Sequence, residues 1–330
     1  MRRSGILWNK QFLYTFIKGI ATNFPGADIL AKNILFDMHG KCGSSSARYC
    51  YAAWLHHLLS AHEHGLSIPP GVVAELGPGN SLGTGLAALL SGAQKYYALD
   101  SVELLDKRKT LALFDDMLFL FKNRERIPGK GEFPEIEPYL DVHDFPSGIL
   151  TENLLARTLD AERTEQIRNA IVHADGRGSG GIGISYSAPW DASARIPEGS
   201  VDMIFSQFVM EHVDELLPTY EKLHKLIKPG GFMSHIIDFK SHGYTAKWNG
   251  HWVYTDRLWR LARGKRSYFI NRHPHSRHID YMRQCGFEII GDHVVRSDQG
   301  ISRRHLAREF QDFSDEDLTT SLALIQAVKK

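Results

Sequence analysis

The chain has 330 residues, 43% hydrophobic and 23% charged, which excludes a disordered or collagen-like polypeptide. Lys+Arg 39 against Asp+Glu 38 leaves a formal net charge of +1, so no nucleic-acid partner is expected. Three cysteines (Cys42, Cys50, Cys285) form no CxxC pair and no disulfide framework; they read as reduced thiols of a cytoplasmic protein.

Met1-Arg2-Arg3 resembles the start of a signal peptide, but Asn9, Lys10, Gln11 and Lys18 interrupt the apolar stretch that should follow. Leu7, Trp8, Phe12, Leu13, Phe16, Ile17 and Ile20 instead recur at steps of three and four, the pattern of an amphipathic helix. Such a helix packs on its own domain or, in a second reading, lies on the inner face of a membrane. Tyr49 to His64 forms another amphipathic stretch, so residues 1–68 read as an N-terminal helical extension. Pro69-Pro70-Gly71 ends it. A strand (Val72 to Leu76), a glycine turn, a helix (Leu82 to Leu90), a strand (Lys95 to Leu99) and Asp100 follow, half of a parallel α/β nucleotide-binding unit. Residues of about 102–181 read as a helical insertion capping the domain, with helices at Leu104 to Lys122 and Ile149 to Ala170. Further strands are predicted at Ile182 to Ser187, Val201 to Ser206, Phe232 to Phe239 and Gly286 to Ile290, and helices at Leu216 to Ile227 and His278 to Cys285. Lys228-Pro229-Gly230-Gly231 reads as a turn, and the tail from Asp312 as a helix.

Gly77-Pro78-Gly79-Asn80, directly after a strand, lets the backbone approach a ligand closely, and the next helix offers free N–H groups. The third glycine of a dinucleotide fingerprint is displaced: Leu82 holds its place and Gly83 follows. Asp100 lies 21 positions beyond Gly79, where a carboxylate can accept bonds from both ribose hydroxyls.

These residues resemble the class I S-adenosylmethionine-dependent methyltransferases (methyltransferase type 11-like). The resemblance spans about 70–240 and rests on Glu75-Leu76-Gly77-Pro78-Gly79, Asp100, Val201-Asp202-Met203-Ile204-Phe205, Met210-Glu211-His212-Val213 and Lys228-Pro229-Gly230-Gly231. It implies a Rossmann-like fold, with a mostly parallel central sheet flanked by helices at 69–300; the residues after it read as a C-terminal helical tail at 301–330. The usual last strand is not obvious after Val295; it is either degenerate (Ile301 to Leu306) or missing. The resemblance also implies S-adenosyl-L-methionine as cofactor, with Glu75, Gly77, Gly79 and Asn80 on its aminoacyl side. Asp100 would bind the ribose hydroxyls and Trp190 and Asp191 the adenine, with Ser101 and Gln207 as further cofactor-binding residues. The second half, with His235 to Phe239, Trp248, Trp252, Trp259 and Asn271-Arg272, resembles enzymes encoded among bacterial surface-glycan genes. That implies O-methylation of a sugar or related hydroxyl in a glycan or glycolipid precursor. A cofactor-binding, non-catalytic partner of a glycan-assembly enzyme, or a methyltransferase acting on another small molecule, remains the alternative. A nucleic-acid base is disfavoured, because Ser206-Gln207-Phe208-Val209 replaces the Asn/Asp-Pro-Pro-aromatic run of amino-methylating DNA enzymes.

A hydroxyl acceptor needs a base. Gln207, Glu211, His212, Asp238 and His242 fall at the ends of the fourth and fifth strands, and His212 and Asp238 are the predicted catalytic pair. Seven Lys/Arg in 251–278 against Asp256, interleaved with Trp252, Tyr254, Trp259, Tyr268 and Phe269, suggest an anionic glycan stacked on aromatic faces. No metal is expected: His273, His275 and His278 lack helical ligand spacing and nearby acids.

Overall fold

A computed structural model describes residues 10–23, 46–174, 181–190, 196–266 and 269–330. Short β-branched and aromatic runs pair into one sheet of seven strands: β1 (Val72–Leu76), β2 (Lys95–Leu99), β3 (Gly183–Ser187), β4 (Val201–Gln207), β5 (Ile227–Asp238), β6 (Phe287–Arg296) and β7 (Thr320–Lys329). Their order is β3-β2-β1-β4-β5-β7-β6. The first five run parallel, and β7 lies antiparallel between β5 and β6. This is the Rossmann-like order of the class I methyltransferase fold. The winding reverses between β1 and β4, so a ligand crevice is expected at the carboxyl ends of those strands.

Ten α-helices are described: α1 (Lys10–Ala21), α2 (Ala47–Glu63), α3 (Gly83–Leu90), α4 (Lys107–Lys122), α5 (Glu152–Thr158), α6 (Ala161–Val172), α7 (Leu216–Leu226), α8 (Asp256–Arg263), α9 (His275–Gln284) and α10 (Asp315–Thr319). Strand side chains alternate between two buried faces. Val73, Tyr96, Met203 and Phe205 meet α2, α3 and α4, whereas Ala74, Leu76, Leu99 and Ile204 meet α7 and α9. The first of these cores takes in residues expected in a cap. Phe114, Met117 and Phe121 of α4 and Ile167 and Ile171 of α6 are buried beside Trp54 of α2. Residues 107–172 therefore help cover one face of the sheet. The helix expected at Ile149 to Ala170 is two helices, because Asp160 accepts the Glu162 N–H (2.9 Å) and starts α6 anew.

The expected C-terminal helical tail is wrong. α-Helix is confined to Asp315–Thr319, with short 3₁₀ turns at Arg303–His305 and Arg308–Phe310, and 320–329 is the last sheet strand, so neither a degenerate strand at 301–306 nor a missing one is needed. Leu322-Ala323-Leu324-Ile325 is apolar on both faces, which a buried helix and a central strand satisfy equally. Position decides: β7 is buried between two strands, with Ala323, Ile325 and Ala327 in one core and Leu322 and Leu324 in another. Likewise Lys228–Gly231, expected as a turn, begins β5 and is accommodated by a register shift against β4.

Polar side chains tie α2 to this half of the sheet. Gln326 of β7 donates to Ser234 Oγ (3.0 Å) and accepts from His64 Nδ1 (2.8 Å), while His57 Nδ1 bonds Ser234 Oγ (2.7 Å). On the opposite face of the sheet, towards α7, His235 bonds Ser206 Oγ (2.8 Å). Burial depresses His56 to about 4 and His235 to about 3. Both fold as neutral imidazoles, while the unfolded chain takes up their protons below about 6.5, so stability is lost as pH falls. Urea unfolding at pH 7 and pH 5 should differ by about 2 kcal/mol for each histidine. His235→Gln should remove its share of that difference.

A third core holds Phe12 of α1, Trp252, Tyr254, Trp259 and Phe269. Phe12 stacks on Tyr254 with centroids 3.4 Å apart. These aromatics are interior and cannot stack on a sugar, contrary to the expectation above; Tyr268 lies outside the described residues. Arg272 is also interior. It donates to the carbonyls of His251 (3.1 Å) and Tyr254 (2.6 Å), pairs with Asp256, and lies over Trp259 and Phe310.

Candidate active site

The carboxyl ends of β1, β2, β4 and β5 lie side by side, with Leu76 paired to Leu99 and Ser206, and Ser206 paired to His235. Gly77 and Gly79 both adopt positive φ (64° and 74°), which explains the residue type. A Cβ on Gly77 would lie 2.5 Å from Val209 Cγ2, so the loop after β4 closes onto the turn.

Asp100 ends β2 and faces the turn. Its Oδ2 accepts the Gly79 N–H (3.2 Å) and its Oδ1 the Ser101 N–H (2.7 Å). Oδ1 also accepts the Val102 N–H at 3.5 Å, so Oδ2 keeps a free lone pair for one ribose hydroxyl and a second hydroxyl has only this long contact to displace. Burial raises the Asp100 pKa above its ordinary value, although backbone N–H bonds from Ser101, Val102 and Gly79 oppose the shift. Ser101 is exposed, and Asn80 is half-buried with its carbonyl accepting from Asp106 N (3.2 Å). The Trp190 N–H donates to the Asp100 carbonyl (2.7 Å), which brings the segment after β3 to the ribose position. Its half-buried ring lies 5.7 Å from Lys222 Nζ. Asp191 lies outside the described residues.

Glu75 points inward. It is buried, takes a short bond from Tyr96 OH, and is raised to about 7 by burial against the opposing bonds of Tyr96, Thr84 and Gly85 N–H. It braces the start of α3 against the sheet from within and acts on a ligand only through the turn. Gly85 makes room for this arrangement, since a Cβ there would lie 2.0 Å from the Tyr96 ring. Gly85→Ala is expected to cost about 1–3 kcal/mol by overpacking, measured by thermal melting.

Gln207 ends β4, and both its amide atoms are buried without a well-formed hydrogen bond. Beyond it, Met210–His212 forms a short 3₁₀ turn. Asn271 locks this turn: its backbone N–H donates to Glu211 O (2.7 Å), and its Nδ2 to Met210 O and Val213 O (2.8 Å each). The turn sets His212 edge-on to His242, with ring centroids 5.0 Å apart. His242 Nε2 stands 3.4 Å from Asp238 Oδ2 and 3.7 Å from Glu211 Oε1. Lys240 approaches the other Asp238 oxygen, its backbone N–H at 2.8 Å and its Nζ at 3.4 Å. Burial alone would raise Asp238, but the hydrogen bond and charge of His242, with Lys240, hold it below its ordinary value. Burial and then the Asp238 charge push Glu211 well above the usual range, favouring its neutral form.

Donor atoms of Glu211, His212 and His242 lie within 4.8 Å of one another, a spacing a cation could bridge. The Lys240 ammonium 3.4 Å from Asp238 opposes a bound cation, and the His242–Asp238 contact suits this cluster to moving a proton. Of the histidines weighed as metal ligands, His275 bonds Asp292 (2.8 Å) and His278 bonds Tyr220 (2.9 Å). Next to the cluster opens a cavity of about 450 Å³ lined by Asp238, Lys240, His242, Thr245, Lys247 and Trp248. The predicted pair His212 and Asp238 is therefore brought together, with His242 between them. Sequence reading underrated His242; its signal was Asp238-x-x-x-His242 just past a strand end. Trp248, not the buried tryptophans, is the aromatic at the cavity.

Residues 166–234 match the family model described as Methyltransferase domain. The match covers the third and fourth strands of the sheet and the first part of the fifth. Over these residues the chain is similar to a methyltransferase domain. The positive-φ glycines and the Asp100 carboxylate facing them fit S-adenosylmethionine, the cofactor that the resemblance implies. No curated protein matches the sequence. Among solved structures, an S-adenosylmethionine-dependent methyltransferase from Mesorhizobium loti is 14% identical, covering 84% of this chain and 98% of its own, with a TM-score of 0.40. A Haemonchus contortus phosphoethanolamine N-methyltransferase 2, in complex with phosphomonomethylethanolamine and S-adenosylhomocysteine, is also 14% identical. It covers 84% of this chain and 52% of its own, again with a TM-score of 0.40.

Proposed function

We propose that the methyltransferase domain O-methylates a hydroxyl of a small anionic acceptor, a phosphorylated or lipid-linked sugar of bacterial glycan assembly. The observation that carries this reading is the Asp238–His242 contact (3.4 Å) on the wall of a cavity that also presents Lys240, Lys247 and Trp248. Bound cofactor supplies a methyl group on positively charged sulfur, already activated for in-line displacement. Asp100 and the glycine turn hold the nucleoside. Lys240 and Lys247 attract a phosphate, and Trp248 offers a face to a sugar ring. His242, oriented by Asp238, takes the hydroxyl proton as the oxygen–methyl bond forms. His212, edge-on to His242, positions that ring and the acceptor hydroxyl. Neutral Glu211 closes the floor without adding charge.

A methyl-labelled cofactor tests the reading, offered with phosphorylated sugars, their unphosphorylated forms and simple amines. Label is expected in an ether of the phosphorylated sugars. Labelled amines would overturn the hydroxyl assignment. Cofactor binding without transfer to any acceptor would favour the non-catalytic alternative.

A further inference from the structure

Helix α1 buries Phe12, Thr15 and Gly19 against α8. The two helices touch closely, since a Cβ on Gly19 would lie 2.0 Å from the Ala262 carbonyl oxygen. The opposite face of α1 is apolar and faces solvent: Leu13 is 43% exposed, Tyr14 57%, Ile17 57% and Ile20 38%. On α8 the neighbouring Leu261 is 51% exposed. Among the described residues these five account for most of the large apolar side chains left in water. A continuous stripe of this kind marks a contact surface.

Charge selects the partner. Helix α1 contains no Asp or Glu, and Lys10 and Lys18 flank its stripe. Arg257, Arg260 and Lys265 are exposed on and just after α8. None of these five cations has an ion pair among the described residues, whereas the nearby acids Asp214 and Asp256 are taken by Arg263 and Arg272. An apolar stripe with a tyrosine, rimmed by lysine and arginine, matches the acyl boundary and anionic headgroups of a lipid bilayer.

We propose that α1 and α8 dock the protein on an anionic membrane surface, with Leu13, Tyr14, Ile17, Ile20 and Leu261 inserted and the flanking cations on headgroups. No helix among the described residues is long and apolar enough to cross a membrane, so the contact is peripheral. The docking module also carries Asn271, which holds the 3₁₀ turn bearing Glu211 and His212. A docked molecule thus keeps its candidate active site on an element anchored to the lipid-facing module.

The test is flotation of the full chain, without cofactor or acceptor, so that its outcome is independent of the reaction proposed above. Vesicles are phosphatidylcholine with or without phosphatidylglycerol. The protein is expected to float with the anionic vesicles, to bind neutral ones at least tenfold more weakly, and to be released by salt. A Leu13→Ser/Tyr14→Ser/Ile17→Ser variant should lose about tenfold or more in partitioning, and Arg257→Glu/Arg260→Glu a similar factor. Both should retain the melting temperature and S-adenosylhomocysteine affinity of the parent, because the replaced side chains face solvent. Equal partitioning of parent and variants would overturn the proposal. So would failure to float together with a dimer, seen by light scattering, that the triple variant abolishes, since the stripe would then join two copies of the chain.

Discussion

Asp100→Ala is expected to weaken S-adenosylmethionine binding by about 10²–10⁴-fold while the fold persists. The carboxylate accepts from Gly79 on Oδ2 and from Ser101 and, at 3.5 Å, Val102 on Oδ1, so the ribose has a free position on Oδ2 and only the long Val102 contact to displace on Oδ1. Hydrogen bonds to a charged acceptor contribute about 1.5–3 kcal/mol each, and two of them give that range. Asp100→Asn separates charge from shape. It should retain the melting temperature and recover part of the affinity, because its amide oxygen still accepts. Burial has raised the Asp100 pKa, so the parent's affinity should fall on acidification sooner than for an ordinary aspartate, and this loss should be absent in the asparagine variant. Calorimetric titration over a pH series checks all three.

The second large effect belongs to His242. His242→Ala is expected to lower kcat by about 10²–10⁴-fold, the usual worth of a positioned base, with cofactor Kd unchanged. Asp238→Asn should cost nearly as much. The double variant should be hardly worse than either alone, because the two side chains act as a unit. His212→Ala should cost less, since His212 meets His242 only edge-on. A His212 variant as slow as the His242 variant would return the proton to His212.

Much of this was legible in the sequence because the signals were local. Val72–Leu76 and Lys95–Leu99 have the bounds read from their apolar runs, and the glycines at 77 and 79 need their positive φ. Asp100 lies where the spacing put it. What escaped was set by tertiary context. β7 is apolar on both faces and shows no helix or strand period, and only its place between β5 and β6 makes it a strand. Trp252, Trp259 and Arg272 looked like a ligand surface because composition does not say which way a side chain points. Here Phe12, distant in sequence, covers the aromatics. Glu75 was assigned to the cofactor from its neighbours, yet Tyr96 draws it inward, and the glycine at 85 that permits this looked like any helix-start glycine. The Asp238–His242 pair was in view, but its rank depended on a contact with Glu211 that no spacing rule foretells.

The proposed methyl transfer requires a cofactor cradle between β1 and β2, and calorimetric titration of the intact chain with S-adenosylhomocysteine tests it most directly. One site with micromolar or tighter affinity, and no heat from a nicotinamide dinucleotide under the same conditions, is the expected result. An absence of binding by S-adenosylhomocysteine, or saturation by the dinucleotide instead, would contradict it.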